Sequence, residues 1–171
     1  GRGIPGSATL LLFVLVMTTI WLGTLDSARE IIKERAIFER ERSIGVPVRA
    51  YLASKVVLLY SLLLIQAAAL AVIVVTLRPL DGSAGTRLSL FFVLVATGFA
   101  AVALGLLISS VAKTEERSTA LIPATMIFQL LLGGAIVTVK NMGAAIAALS
   151  TLVFARWAYA GAGSVIHLNE R

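Results

Sequence analysis

Charged side chains are concentrated between Asp26 and Lys55, where seven Lys or Arg and five Asp or Glu lie close together. Arg35 and Glu39, and then Glu39 and Arg42, have the spacing that brings opposite charges together on a helix. Such a segment can dock on a partner protein through ion pairs that fix orientation. It can also be a solvated linker helix that only sets membrane topology. Composition alone favours the linker helix, but the length of the segment exceeds the ~4–6 residues of most connections, which indicates a docking role.

The residues offer no recognisable catalytic set. The chain has no cysteine, and His167 is its single histidine. No paired catalytic carboxylates and no Gly-rich phosphate-binding loop of the Walker type stand out in the sequence. We therefore predict no catalytic residue, no metal ligand and no cofactor held by this chain. If the protein carries out an energy-driven process, the energy must come from outside this chain and enter through its cytoplasmic loops.

Two glutamines are the strongest polar side chains inside the long apolar runs. Amides in membrane helices often bond from one helix to another, and they can also line a substrate path. Both roles stay open for Gln129, whereas the structural role is favoured for Gln66. An ion-coupled carrier normally has Asp, Glu, His or Arg at mid-membrane depth. The interiors of these runs have none of them, which argues against a carrier.

Four apolar runs must position these residues. Of the 171 residues, 58% are hydrophobic and 14% are charged, which is more apolar surface than a soluble domain of this size can bury. The runs are long enough to cross a bilayer core as helices, which takes ~20 residues. We therefore predict an all-α integral membrane domain with four spans, at residues 8–25, 51–77, 88–111 and 119–139.

Basic residues predict which loops face the cytoplasm, because Lys and Arg are enriched in cytoplasmic loops. The loop 26–55 is rich in both, and the short loop 112–118 contains Lys113 and Arg117. Both loops are therefore placed in the cytoplasm, and both chain ends fall outside. Since the sequence begins with Gly1 and shows no signal peptide, we expect it to be an excised piece of a longer protein.

Within the first loop we predict an amphipathic helix over residues 28–44 that lies along the inner face of the membrane. Asp26 and Ser27 can cap its start, because their side chains accept hydrogen bonds from free backbone N–H groups. Gly45 and Pro47 end it, because glycine suits the C-terminal turn and proline cannot continue a helix.

Residues 143–155 form a further apolar stretch that is too short to cross a bilayer upright. Trp157 and Tyr159 follow it, and aromatic rings of this kind settle at the level of the lipid headgroups. We predict a re-entrant or interfacial helix on the outer face. The alternative is a fifth span within residues 143–166, which would place the Arg156 cation at a costly depth unless it snorkels.

The charged segment resembles part of a known family. The run from Ser27 to Arg42, then Gly45 and the Tyr51-Leu52-Ala53-Ser54-Lys55 element, is similar to the permease domain of type-2 ABC exporters. The similarity is to the White or ABCG-like branch, in its bacterial members. In that family a charged segment after the second membrane helix forms the coupling helix, which docks on an ATPase domain.

The far end of the chain resembles the same family. Gly133-Gly134 and Arg156-Trp157-Ala158-Tyr159 are similar to its glycine element and its outer segment, with Ala155 where the family has proline. The resemblance covers nearly the whole chain and implies that the four spans are the second to fifth of six helices. It also implies that the residues coupling the permease to the ATPase are Glu34, Phe38, Glu39, Arg40, Glu41, Arg42 and Gly45.

The same resemblance implies a substrate path between two permease halves. The first and fourth spans of this chain would line the path. Ala135 and Ile136 would close it toward the outside. The path residues implied in this way are Met17, Thr18, Trp21, Thr125, Phe128, Gln129 and Leu132.

The leading interpretation is therefore the permease part of an ATP-driven ABC exporter. The chain would be no enzyme itself, since ATP and Mg would be bound by a fused or separate ATPase domain. Its other partners would be a second permease half, identical or different, and the lipid bilayer, with no nucleic acid. We expect it as a multi-pass protein of the bacterial plasma membrane. The alternatives are a membrane scaffold without transport and a channel or ion-coupled carrier.

Overall fold

The computed structural model describes residues 5–77, 84–133, 144–151 and 153–165, and every regular element within them is an α-helix. The predicted all-α class is confirmed for this part of the chain. The helices are α1 (Pro5–Ser27), α2 (Glu30–Ser43), α3 (Val48–Leu77), α4 (Ala84–Val111), α5 (Glu115–Leu132), α6 (Ala144–Ser150) and α7 (Phe154–Val165).

Three helical stretches of the described residues are long and apolar enough to cross a membrane. They are Leu10–Ser43, whose apolar part is α1, then Val48–Val74 and Ala84–Val111. The fourth predicted span, 119–139, corresponds to α5 only as far as the structure describes it. Because α5 begins with three charged residues and has 18 residues in all, it is not one of these stretches.

The core forms where α1 lies against α4. Leu12, Val16 and Ile20 of α1 are buried together with Leu94 and Ala101 of α4. Helices α5 and α7 pack against this pair, and α3 packs on α4 at a second, smaller apolar cluster. Burial of these apolar side chains positions the polar ends of the helices that form the candidate site.

Glycine allows α1 and α4 to approach closely at their polar ends. A Cβ atom on Gly105 would lie 2.0 Å from Ser27 Oγ and 2.8 Å from the Thr24 carbonyl oxygen. A Cβ atom on Gly23 would lie 2.9 Å from the Ala101 Cβ. Small residues permit this kind of backbone approach between membrane helices, so the α1–α4 interface depends on their small size.

The segment predicted as one re-entrant helix at 143–155 contains two short helices instead. Helix α6 has 7 residues, and α7, which begins inside the predicted range, has 12 and continues to Val165. The described residues 144–151 and 153–165 contain no continuous fifth span. Helix α7 packs on α1, α4 and α5, whereas α6 contacts α5, so α5 is a neighbour of both short helices.

Side-chain bonds reach across the break between α6 and α7. Arg156 Nη1 donates to Ser150 Oγ over 2.7 Å, and Trp157 Nε1 donates to the Thr151 carbonyl over 2.9 Å. The Thr151 carbonyl follows the last turn of α6, where carbonyl groups lack partners within the helix. These bonds stabilise the break, and they bring the Arg156 side chain back toward α6.

Candidate functional site

The charged segment folds as a helical hairpin made of α2 and the start of α3. The turn between them contains Gly45, whose φ of +102° is one that glycine adopts at no steric cost. The N–H of Gly45 bonds to the Arg42 carbonyl over 3.1 Å and closes the end of α2. Across the hairpin, the rings of Phe38 and Tyr51 stack with centroids 4.3 Å apart.

Lys55 of α3 fastens α2 to α3. Its Nζ lies 2.9 Å from Glu30 Oε1 and 2.6 Å from Glu34 Oε2. The second carboxylate oxygen of Glu30 lies 2.6 Å from Lys33 Nζ. The Lys55 and Glu30 side chains are only 13% and 10% exposed. Glu34, an implied contact to the ATPase, is therefore bound to α3 in this structure.

The other implied coupling residues lie on several sides of α2. Phe38 turns toward α3, whereas Glu39, Arg40, Glu41 and Arg42 are exposed. Four successive residues cover a full helical turn, so their charges point in different directions. A groove of about 240 Å³ between α2, α3 and α4 has Glu39 and Arg42 in its lining, with neither Arg40 nor Glu41.

The predicted amphipathic character of this helix is wrong. The apolar side chains Ile31, Ile32, Ile37 and Phe38 are distributed around α2 and form no single apolar face. Ile37, for example, is 55% exposed. The physical reason is that the packed side of α2 carries Glu30 and Glu34, which bind Lys55, as well as Ile31 and Phe38. Its buried side is therefore mixed in polarity, and Ile37 lies outside it.

The residues predicted to cap this helix bond elsewhere. Helix α2 begins after Arg29 without a side-chain cap of its own, because Asp26 and Ser27 belong to the last turn of α1. Ser27 Oγ donates back to the Gly23 carbonyl over 2.6 Å. Asp26 Oδ2 accepts a hydrogen bond from Gln66 Nε2 over 2.7 Å. Gln66 thus connects α3 to α1, which is the structural role favoured from the sequence.

Two buried serines from α4 and α5 bond to the α1–α2 junction. Ser109 Oγ accepts hydrogen bonds from the backbone N–H groups of Ile31 and Ile32, both over 3.0 Å. These are first-turn donors that a helix cannot satisfy by itself. The Ser118 hydroxyl donates to the Ala28 carbonyl. Sequence reasoning missed both serines, since no local pattern links the end of one apolar run to a loop that precedes it by tens of residues.

The first turn of helix α5 is charged, and the apolar residues of the helix follow it. The Thr114 hydroxyl caps it by accepting from the Arg117 N–H over 3.3 Å. The Glu116 carboxylate accepts a hydrogen bond from its own backbone N–H and a second one from the Thr114 hydroxyl. Both bonds hold the pKa of Glu116 below its usual range, and the backbone bond has the larger effect. Anionic side chains in the first turn favour a helix start, so α5 is well capped where it leaves the α4–α5 loop.

The path residues implied for α1 lie on one side of that helix. Met17 and Thr18 are half-buried, and Trp21 is 50% exposed. Met17 packs against the main apolar cluster. The two residues implied to close the path, Ala135 and Ile136, lie outside the described residues.

The path residues implied for α5 differ in exposure. Phe128 is 63% exposed, and Thr125 and Leu132 are half-buried. Gln129 is only 8% exposed, and its Oε1 accepts a hydrogen bond from the Ala155 N–H over 3.1 Å. Ala155 lies in the first turn of α7, where N–H groups lack helical partners. This contact favours the structural role of Gln129 between the two roles left open by the sequence.

Replacing Gln129 with methionine should lower the free energy of unfolding by about 1–3 kcal/mol, because the buried Ala155 N–H would lose its acceptor. Thermal unfolding of the purified full-length protein in detergent measures the change. Phe128→Met is the matched control, since that neighbouring side chain is exposed and should have little effect. Equal melting temperatures for the two variants would contradict the structural role.

Comparison with known proteins places the chain in a family. Residues 3–166 match the family model described as ABC-2 type transporter. The chain is 30% identical over 169 residues to the ABC transporter ATP-binding/permease protein Rv1747 of Mycobacterium tuberculosis. That alignment covers 96% of this chain and 19% of the relative, so the chain spans less than a fifth of the relative's length. No solved structure gives a significant match. Because the family model covers nearly all of its residues, this chain belongs to the ABC-2 type transporter family.

Proposed function

We propose that this chain is the membrane-spanning permease part of an ATP-driven ABC exporter. The observation that carries the proposal is the family match over residues 3–166. The relative's name joins an ATP-binding to a permease function, and this sequence has long apolar helices without a Walker-type phosphate-binding loop. An associated ATPase domain, fused or separate, would therefore bind ATP and Mg and supply the energy.

We place four spans in a bacterial plasma membrane, formed by α1, α3, α4 and by α5 with the residues that follow it. They would be the second to fifth of six helices. The α2–α3 hairpin and the α4–α5 loop would face the cytoplasm, which the Lys and Arg of both segments support. The break between α6 and α7 supports a re-entrant outer segment over a fifth span, because neither short helix can cross a bilayer.

Helix α2 would be the coupling helix. The exposed charges of residues 39–42 support direct contact with the ATPase, since rim ion pairs fix the orientation of a docked partner. Glu34 and Phe38 would act differently, by holding α2 against α3 through Lys55 and Tyr51. Gly45 would set the turn that joins the two helices. Because these contacts join the two helices, a movement of α2 would be transmitted to α3.

A second permease half, identical or different, would complete the substrate path. The exposure of Trp21 on α1 and of Phe128 on α5 supports this arrangement, because large apolar side chains facing outward must meet lipid or protein. Gln129 would border the path while its side chain stabilises the contact between α5 and α7. The scaffold alternative needs no such path and is tested by the same experiment.

Replacing Glu39, Arg40 and Glu41 together with alanine should abolish coupled transport while the protein still folds and inserts. The reason is that these exposed charges would orient the ATPase. The measurement is ATP hydrolysis and vectorial transport of a panel of fluorescent amphipathic dyes and phospholipids by the full-length protein in proteoliposomes.

Arg87→Ala is the matched control for that experiment, since it removes an exposed charge at the other end of the helices. Transport by the triple variant at the unsubstituted rate would refute docking through these residues. An unsubstituted protein with neither ATP hydrolysis nor transport would favour the scaffold alternative.

A further inference from the structure

Two serine hydroxyls attach the junction of α1 and α2 to the α4–α5 loop. Ser109 is 1% exposed and bonds to two backbone N–H groups at the start of α2. Ser118 is fully buried and bonds to the carbonyl of Ala28, which is itself fully buried. Both hydroxyls are shielded from solvent, so leaving their partners without a hydrogen bond is costly.

We infer that Ser109 and Ser118 are positioning residues that pass the ATP-driven movement of α2 to α5. The inference rests on the proposed function, because it presumes that α2 receives the push and that α5 lines the path. Ser118 lies in the first turn of α5, and Ser109 lies in the last turn of α4, immediately before the loop that leads to α5. The start of α2 is thereby bonded to the end of α4, and Ala28, just before α2, is bonded to the start of α5.

Helix α2 is also attached to α3, through ion pairs. Lys55 binds Glu30 and Glu34 to α3, a helix that contains none of the implied path residues. The backbone of the α1–α2 junction is bonded to α5 through the Ser118 hydroxyl, which donates to the Ala28 carbonyl. A movement of α2 that preserves these bonds must shift the start of α5 as well, since packed elements joined by buried hydrogen bonds move together.

Neighbouring hydroxyls provide matched controls. Ser110 follows Ser109, is exposed, and donates only to the Leu107 carbonyl of its own helix over 2.8 Å. Thr119 follows Ser118, is exposed, and donates to the Glu115 carbonyl of its own helix over 2.9 Å. Removing either control hydroxyl takes away the same chemical group one residue along the chain. The hydrogen bonds to the α1–α2 junction stay intact.

The test uses a fluorescent probe on α5 in the full-length protein, reconstituted in proteoliposomes. Leu131→Cys, at a site 48% exposed on α5 and outside the implied path, accepts an environment-sensitive fluorophore. This chain has no cysteine of its own, and any cysteine elsewhere in the full-length protein is replaced. The readouts are the ATP-driven change in probe emission and the rate of ATP hydrolysis, so no substrate is needed.

Ser109→Ala and Ser118→Ala should each reduce the ATP-driven emission change about tenfold while ATP hydrolysis persists, the size expected for one buried hydrogen bond left unmade. Ser110→Ala and Thr119→Ala should keep both signals. If Ser109→Ala and Ser118→Ala both keep the full emission change, the inference is overturned and the proposed function still stands. An unsubstituted protein that hydrolyses no ATP would overturn the proposed function and the inference with it.

A second measurement keeps the inference testable if the alanine variants fail to fold. Spin labels on Ala36→Cys of α2 and Thr119→Cys of α5 report the distance between the two helices, and both native residues are exposed. With both serines present, this distance should stay unchanged between the nucleotide-free and ATP-bound protein. A distance that changes with ATP would overturn the inference, because α2 would then move independently of α5.

Discussion

Lys55→Met should destabilise the α2–α3 hairpin by about 3 kcal/mol, the low end of the range for breaking a buried ion pair. The substitution removes the ammonium group that lies between the carboxylates of Glu30 and Glu34. Lys33 remains near Glu30 but is 46% exposed, so it compensates only in part. Two like charges would then face each other in a site that is largely shielded from water.

Two control variants separate the loss of charge from the loss of packing. Lys33→Met removes the exposed partner of Glu30 and should cost less than about 1 kcal/mol, as surface ion pairs do. Adding Glu30→Gln and Glu34→Gln to Lys55→Met should restore stability, because the only charge left without its partner is that of Lys33, which is exposed to water. Chemical unfolding of the full-length protein in detergent, with limited proteolysis at the hairpin turn, measures both effects.

If Lys55→Met and Lys33→Met unfold at the same denaturant concentration, Lys55 does not hold the hairpin. The proposed role of Glu34 as an indirect coupling residue would fail with it. If Lys55→Met is destabilised, and the variant that also carries Glu30→Gln and Glu34→Gln regains the original stability, the hairpin is held by charge balance. The aromatic stacking of Phe38 on Tyr51 would then keep the two helices in contact.

Gly105→Val should prevent the close approach of α1 and α4, with a loss of stability at or above the 1–3 kcal/mol typical of overpacked interiors. Even a methyl group at this position would lie 2.0 Å from Ser27 Oγ, 2.8 Å from the Thr24 carbonyl and 3.1 Å from the Ala28 nitrogen. Two of these three atoms belong to the backbone, so rotating a side chain does not relieve the clash. The helices must separate where α1 joins α2.

Gly161→Ala is the matched control, since its new methyl group would meet Val93 at an ordinary 3.7 Å. Alanine is also a better helix former than glycine by about 1 kcal/mol, so this variant should be neutral or stabilised. The melting temperature and the yield of inserted, monodisperse protein give the comparison. A Gly105→Val variant as stable as the unsubstituted protein would mean that α1 and α4 do not pack as described.

The sequence by itself determined the helical class and the family. Long runs of apolar residues predict helices because a lipid environment leaves backbone groups no partner outside the chain, and a helix satisfies them locally. The predicted spans 51–77 and 88–111 match α3 and α4 at their C-terminal ends, and both helices begin a few residues earlier than predicted. The resemblance to type-2 ABC permeases rested on a contiguous charged segment, and the family match over residues 3–166 supports it.

Only the tertiary structure decided which polar side chains take partners from distant segments. Asp26 and Ser27 have the residue types of helix caps, yet Asp26 bonds to Gln66 and Ser109 caps α2 from a helix 78 residues away. Helix α2 is not amphipathic as expected, because its packed side carries Glu30 and Glu34 beside Ile31 and Phe38. Residue patterns report the period and polarity of a segment, which are local properties. Pairings between distant segments depend on how the apolar faces of α1, α3 and α4 pack, and the sequence pattern does not encode that contact directly.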